Sequence, residues 1–208
     1  MKKVLTIAGS DSSGGAGIEA DLKTFSAFGV YGMAAITAVT AQNTVGVQRV
    51  FDLPPPMVGA QLDSVLGDVG TDAVKTGMLA NRSIIEVVVG KLKEYGAKNL
   101  VVDPVMESGS GYALLRVEDR HCLKDLLALA VLVTPNLEEA QFLSGVEVRT
   151  VDGMREAAQA IHKLGSENVL IKGGHLRGDP IDILYDGSRF KEFKGERIPV
   201  QAHGTGCA

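Results

Sequence analysis

A mainly parallel α/β sheet with helices on both faces is the fold that this chain predicts. Two observations carry the expectation. Short apolar runs alternate with segments of helical period almost from end to end, which is the rhythm of β-α-β units. Each run then closes on glycines, amides or charged groups, as strand ends do where an open α/β sheet receives its ligand. With 208 residues and 45% apolar composition the chain can bury one sizeable core, so a single domain over 1–208 is expected.

The strands are predicted at Val4–Ala8, Met33–Val39, Ala73–Thr76, Leu100–Asp103, Val131–Thr134 and Val169–Lys172. Between them Ile18-Leu22-Phe25, Val58-Leu62-Val65-Leu66 and Ile84-Ile85-Val88-Leu92 recur at helical spacing. Asn81 and Ser83 offer caps to the third helix and Gly96 follows its end, while Gly165 closes a helix carrying Met154, Ala158 and Ile161. Ile181–Tyr185 and Arg189–Phe193 flank Asp186-Gly187-Ser188 and read as a small antiparallel hairpin at one edge. Pro54-Pro55-Pro56 is a stiff connector within the domain.

Composition excludes several classes. A net charge of −4, no tryptophan and no lysine/arginine cluster argue against a nucleic-acid partner. Cys122 and Cys207 lack metal-ligand spacing and suit a reducing compartment. Val4–Gly9 is too short for a signal-peptide core, and the longest apolar run, Leu126–Val133, falls far short of a membrane span. A cytoplasmic protein without a membrane partner is therefore expected.

The glycine motifs separate by context. Gly15-Ala16-Gly17-Ile18-Glu19-Ala20 matches a loose dinucleotide fingerprint, but it starts well after the first strand ends. No acidic residue between Asp21 and Asp52 is available to hold an adenosine ribose. A Gly-Lys-Ser/Thr P-loop and a Gly-x-Ser-x-Gly elbow are absent. At the far end, His203-Gly204-Thr205-Gly206-Cys207 is a small-residue turn whose N–H groups can converge on an anion.

Asp21 lies within the apolar stripe of the first helix, with Glu19 and Lys23 on the opposite, solvated side. A carboxylate there needs a partner. That partner is either a neighbouring backbone N–H or a polar substrate edge, which Gln42 could share through its amide. Asn136 and Glu139 share a face at a helix start, where Glu139 would favour the helix dipole. With Asp103 they could instead organise Mg²⁺ through water and phosphate oxygens. Lys172, beside Gly173-Gly174, could meet a phosphate as a point charge, and His175 reads as loop structure.

The stretch from Thr6 to Phe25 closely resembles the opening signature of the hydroxymethylpyrimidine/phosphomethylpyrimidine kinases of thiamine biosynthesis, members of the ribokinase-like superfamily. The likeness continues in register through Thr37–Thr44, Lys75–Leu79, Val102–Met106, Thr134–Ala140, Lys172–His175 and His203–Cys207. It implies a three-layer ribokinase-like fold and ATP-dependent phosphorylation of 4-amino-5-hydroxymethyl-2-methylpyrimidine, then of its monophosphate. It also implies that Asp21 and Gln42 bond the pyrimidine between apolar walls from Met78 and Val105. Asp103, Asn136 and Glu139 fall where the superfamily handles magnesium and nucleotide phosphates, and Lys172 where it meets ATP. Gly204, Thr205 and Gly206 match the anion hole, with Cys207 at the position of the catalytic base. Family members continue beyond this cysteine, so residues 1–208 are expected to lack a C-terminal helical portion. A homodimer is suggested by the same likeness. Pyridoxine or pyridoxal is the neighbouring substrate reading, and a pyrimidine-binding module without catalysis is the alternative from another class.

Overall fold

The computed structural model describes residues 1–176 and 178–197, which form two compact units. The first holds Met1–Leu100 with Val105–Leu123; the second holds Val101–Pro104 and the described residues from Lys124 onward.

In the first unit the apolar run behind Lys2 and Lys3 becomes strand β1, Lys3–Asp11, buried without interruption from Leu5 through Gly9. Successive side chains of a strand point to opposite faces, so continuous burial means that both faces of β1 are covered. Helix α1 (Gly17–Ala27) follows, then β2 (Tyr31–Gln42), β3 (Val47–Asp52), α2 (Pro55–Ser64), β4 (Ala73–Thr76) and α3 (Arg82–Glu94). β1 pairs in parallel with β2 and with β4, whereas β3 returns antiparallel along β2. β3 is absent from the sequence expectation. Its side chains are half-buried or exposed, with none fully buried and no strict alternation, so no apolar pattern announces it.

The helices form for local reasons. Asn81, and not Ser83, caps α3: its Oδ1 accepts from the Ile84 N–H at 3.2 Å. Ile84, Ile85, Val88, Val89 and Leu92 then give α3 a continuous buried stripe, each worth roughly 1.5–3 kcal/mol in burial. α2 runs into a π-helical turn at Val65–Val69 that Gly70 ends. The approach to β4 is tied to the start of β1 by Asp72, whose carboxylate accepts from the Lys3 N–H at 2.8 Å and the Lys2 ammonium at 2.9 Å. The backbone bond from Lys3, seconded by Lys2, holds this carboxyl below its ordinary range.

The second unit takes up β5 (Leu100–Val102) from Val101 and α4 (Leu123–Leu127) from Lys124, and carries β6 (Leu132–Val133), α5 (Leu137–Ser144), α6 (Val151–His162) and β7 (Val169–Ile171). β5, β6 and β7 pair in parallel. The hairpin β8 (Ile181–Tyr185) and β9 (Phe190–Lys194) adds antiparallel strands, as expected. Its turn is closed by Asp186 Oδ1, which accepts from the Ser188 and Arg189 N–H groups. α6 buries Met154, Ala157, Ala158 and Ile161. The architecture is thus the mainly parallel α/β fold that the alternating pattern implied. Among the described residues no helix is long and apolar enough to cross a membrane.

One backbone approach sets the entry of α1. Gly17 adopts φ +58°, and a Cβ built on it would lie 2.2 Å from the Gly9 carbonyl oxygen. No side chain fits there, and the conformation alone costs an L-residue about 1–2 kcal/mol. Gly17→Ala should therefore destabilise by more than that figure, whereas Gly90→Ala, in the exposed middle of α3 with open space around it, should stabilise by about 0.5–1 kcal/mol. Urea unfolding of the two variants checks this opposition of sign.

Candidate active site

The loop that joins β1 to α1 is built around a buried acid. Asp11 is 3% exposed. Its Oδ1 accepts from the Ser13 N–H, and its Oδ2 from those of Gly15 at 3.1 Å and Ala16 at 2.9 Å. The N–H groups that a dinucleotide pyrophosphate would require are thus turned onto a side chain of the protein. Glu19 differs from its expected solvated position. It folds back so that its carboxylate accepts from the Asp11 N–H at 2.8 Å and the Ser10 hydroxyl at 2.5 Å. The strand end leaves those donors unmatched, and an acid in the first turn of α1 reaches them.

Asp21 is buried as the helical spacing required, at 4% exposure. Its partner is not a neighbouring N–H. Thr6 of β1 donates its hydroxyl to Oδ2 at 2.6 Å, and the Lys75 ammonium of β4 reaches both carboxylate oxygens at 2.9 Å. Leu22 and Phe25, expected deep in the same stripe, are only half-buried.

Met78 follows β4 and is buried, with its carbonyl accepting from the Thr37 hydroxyl at 2.6 Å. A Cβ on Gly9 would come 3.0 Å from the Met78 sulfur, so the thioether lies directly over the end of β1. Met78 also lines an open depression of about 490 Å³ with Phe51, Asp52, Tyr112 and Arg116 among its walls. Gln42 ends β2, where its Oε1 accepts from Thr40 at 3.1 Å and its backbone exchanges two hydrogen bonds with the Ser12 hydroxyl. Val105 is half-buried.

The second unit repeats the pairing of aspartate with lysine. Asp103, just past β5, is 6% exposed, and its Oδ1 accepts from the Lys172 ammonium at 2.9 Å and the Thr134 hydroxyl at 3.3 Å. Asn136 and Glu139 form a reciprocal cap on α5. Asn136 Oδ1 accepts from the Glu139 N–H, and Glu139 Oε2 from the Asn136 N–H, both at 2.9 Å. The Lys172 N–H reaches the Pro135 carbonyl at 2.9 Å, which brings the cap and the lysine strand-end side by side. Gly173 is required by a close approach: its Cβ would stand 1.9 Å from the Ile181 carbonyl oxygen. His175 is exposed in the following loop. Gly204, Thr205, Gly206 and Cys207 lie outside the described residues. Among the described residues no three His, Cys, Asp or Glu side chains cluster as a metal cage.

Sequence reasoning passed over Thr6 and Lys75 as site residues. A lysine inside the predicted four-residue strand Ala73-Val74-Lys75-Thr76 is the available signal, since a cation in a covered strand must find an anion.

The family model for phosphomethylpyrimidine kinase matches residues 11–208. The chain belongs to the phosphomethylpyrimidine kinase family. This is a phosphotransferase family with a ribokinase-like fold. The chain is 48% identical over 209 residues to the hydroxymethylpyrimidine/phosphomethylpyrimidine kinase of Bacillus subtilis, covering 99% of this chain and 77% of that protein. It is 50% identical over 207 residues to the thiamine biosynthesis bifunctional protein ThiED of Geobacter sulfurreducens, covering 98% of this chain but 42% of the relative. The chain thus spans less than half of that bifunctional protein. Among solved structures it resembles the phosphomethylpyrimidine kinase of Clostridium difficile, with TM-score 0.88, 51% identity, and 94% and 85% of the two chains covered. It also resembles an ADP complex of Bacillus subtilis pyridoxal kinase, with TM-score 0.90, 45% identity, and 100% and 80% covered.

The reciprocal cap makes a stability prediction. Asn136→Ala removes the acceptor of one of its two bonds and should cost about 1 kcal/mol. Thermal unfolding should show a lower Tm for this variant than for wild type.

Proposed function

We propose that this chain provides an ATP-dependent kinase that phosphorylates 4-amino-5-hydroxymethyl-2-methylpyrimidine and then converts the monophosphate to the diphosphate in thiamine biosynthesis. The reading rests above all on the family match, which covers residues 11–208. The chain is proposed as one kinase domain, working in the cytoplasm as a homodimer.

In this reading Asp21 and Gln42 hold the aminopyrimidine edge, and Met78 with Val105 supplies apolar contact to the ring. Lys172 and Asn136 serve the nucleotide. Asp103 and Glu139 would hold Mg²⁺. Their carboxylates are already engaged by Lys172 and by the Asn136 N–H, and together they are too few for a closed cage. That suits an ion that takes its remaining ligands from phosphate and water. When bound, Mg²⁺ supplies charge neutralisation on the phosphoryl group.

Phosphoryl transfer asks the protein mainly to align nucleophile and γ-phosphate. Lys172 adds a cation, and the N–H groups of Gly204, Thr205 and Gly206 add neutral donors for the transferring oxygens. Cys207 takes the proton of the substrate hydroxyl. A thiol near 8.5 is brought into a useful range at a helix N-terminus. The second phosphorylation needs no such base, because its nucleophile is a phosphate oxygen that is already anionic near neutral pH.

Turnover of hydroxymethylpyrimidine with ATP by the intact protein tests the reading, and absence of product would overturn it. The likeness to pyridoxal kinase makes pyridoxal the competitor substrate for the same assay. Cys207→Ala should slow the first phosphorylation by about 10²–10⁴-fold and the second much less, as read in separate single-turnover experiments. Asp21→Asn should weaken pyrimidine binding while ADP affinity stays near wild type, measured by calorimetry.

A further inference from the structure

Lys75 has no part in the proposed transfer step, yet it is the cation paired with the Asp21 carboxylate. Its ammonium stands 2.9 Å from each of the two carboxylate oxygens, and the side chains are 18% and 5% exposed. From β1 the carboxylate meets only the neutral Thr6 hydroxyl. The other acids at this end, Asp11 and Glu19, are committed to N–H and hydroxyl donors of the β1–α1 loop. Room for the ammonium is kept by Gly77, where a Cβ would lie 3.2 Å from Nζ and 3.2 Å from the Ala8 Cβ.

We infer that Lys75 is a specificity-determining residue, which holds Asp21 as an acceptor-only group so that the proposed pyrimidine site selects a heterocycle presenting an N–H donor. The inference rests on the proposed pyrimidine-binding role of Asp21 and deepens it. An ionised carboxylate can accept hydrogen bonds and cannot donate them. The Lys75 ammonium reaches both carboxylate oxygens and so holds the group in one orientation. Without the cation the carboxylate is no longer held in that orientation, and a ring that presents an acceptor is rejected less strongly. Lys75 thus decides which hydrogen-bonding pattern the site reads, without itself reacting.

The test compares 4-amino-5-hydroxymethyl-2-methylpyrimidine with its 4-methoxy counterpart, which offers an acceptor and no donor. Affinities are measured by calorimetry on the intact protein, with ADP binding as the control for a folded site. Wild type should prefer the amino ring by about 10²-fold or more, since a site built for a donor rejects an analogue lacking it. Lys75→Met should lose at least about ten-fold of that preference. Thr6→Val removes a hydroxyl but no charge, so it should weaken binding while keeping the preference. If Lys75→Met does not fold, Lys75→Gln decides, because it keeps a polar side chain without the charge and should narrow the preference several-fold with ADP affinity intact. A wild-type preference in Lys75→Met or in Lys75→Gln overturns the inference. Failure of wild type to bind the amino ring at all overturns the pyrimidine reading together with it.

Discussion

A carboxylate held almost out of water needs a cation, and in the first unit much follows from that constraint. Asp21 sits on α1, Thr6 on β1 and Lys75 on β4, so one ion pair with one hydroxyl joins a helix to two adjacent parallel strands. Removing one member of such a pair strands the other, at a cost of about 3–5 kcal/mol, which is more than the intact pair contributes over an apolar replacement. The arrangement is therefore a demanding way to join elements. It becomes economical when the carboxylate also has a ligand to bind.

The close approach of Gly17 to the Gly9 carbonyl complements this pairing. It lets α1 start hard against the end of β1, and Asp21, one turn later, then faces Thr6. The Asp11 carboxylate gathers the loop N–H groups, and Glu19 closes the strand end from the helix side. Each acid in this stretch has separate work, although the sequence presents them as neighbours within a single glycine-rich motif.

The second unit uses the same chemistry on other elements. Asp103 and Lys172 come from the ends of different strands and meet at 2.9 Å, while Asn136 and Glu139 satisfy the first turn of α5. A capping acid and a paired lysine are ordinary stabilising devices. They also place the Glu139 carboxylate in the first turn of α5 and the Lys172 ammonium at the end of β7, and phosphoryl transfer needs charge that is already oriented. Structural and functional readings of these residues are thus compatible, because orientation for folding is also preorganisation for transfer.

Much of this was legible from residues alone. Alternating apolar runs gave the parallel strands, since covered strands read as continuous hydrophobic segments, and β4 and β8 appear with the bounds their composition implies. The burial of Asp21 followed from helical spacing, and the Asn81 cap from residue type. β3 escaped because its side chains are largely exposed and carry no pattern. Glu19 was misplaced because helical period describes a face and not a strand end that reaches it from outside the helix. Which cation answers Asp21 was equally beyond the sequence. Residues 21 and 75 are far apart in the chain, and only the parallel pairing of β1 with β4 brings the lysine beneath the helix. Local periodicity determines what must be buried, whereas strand register determines what it is buried against.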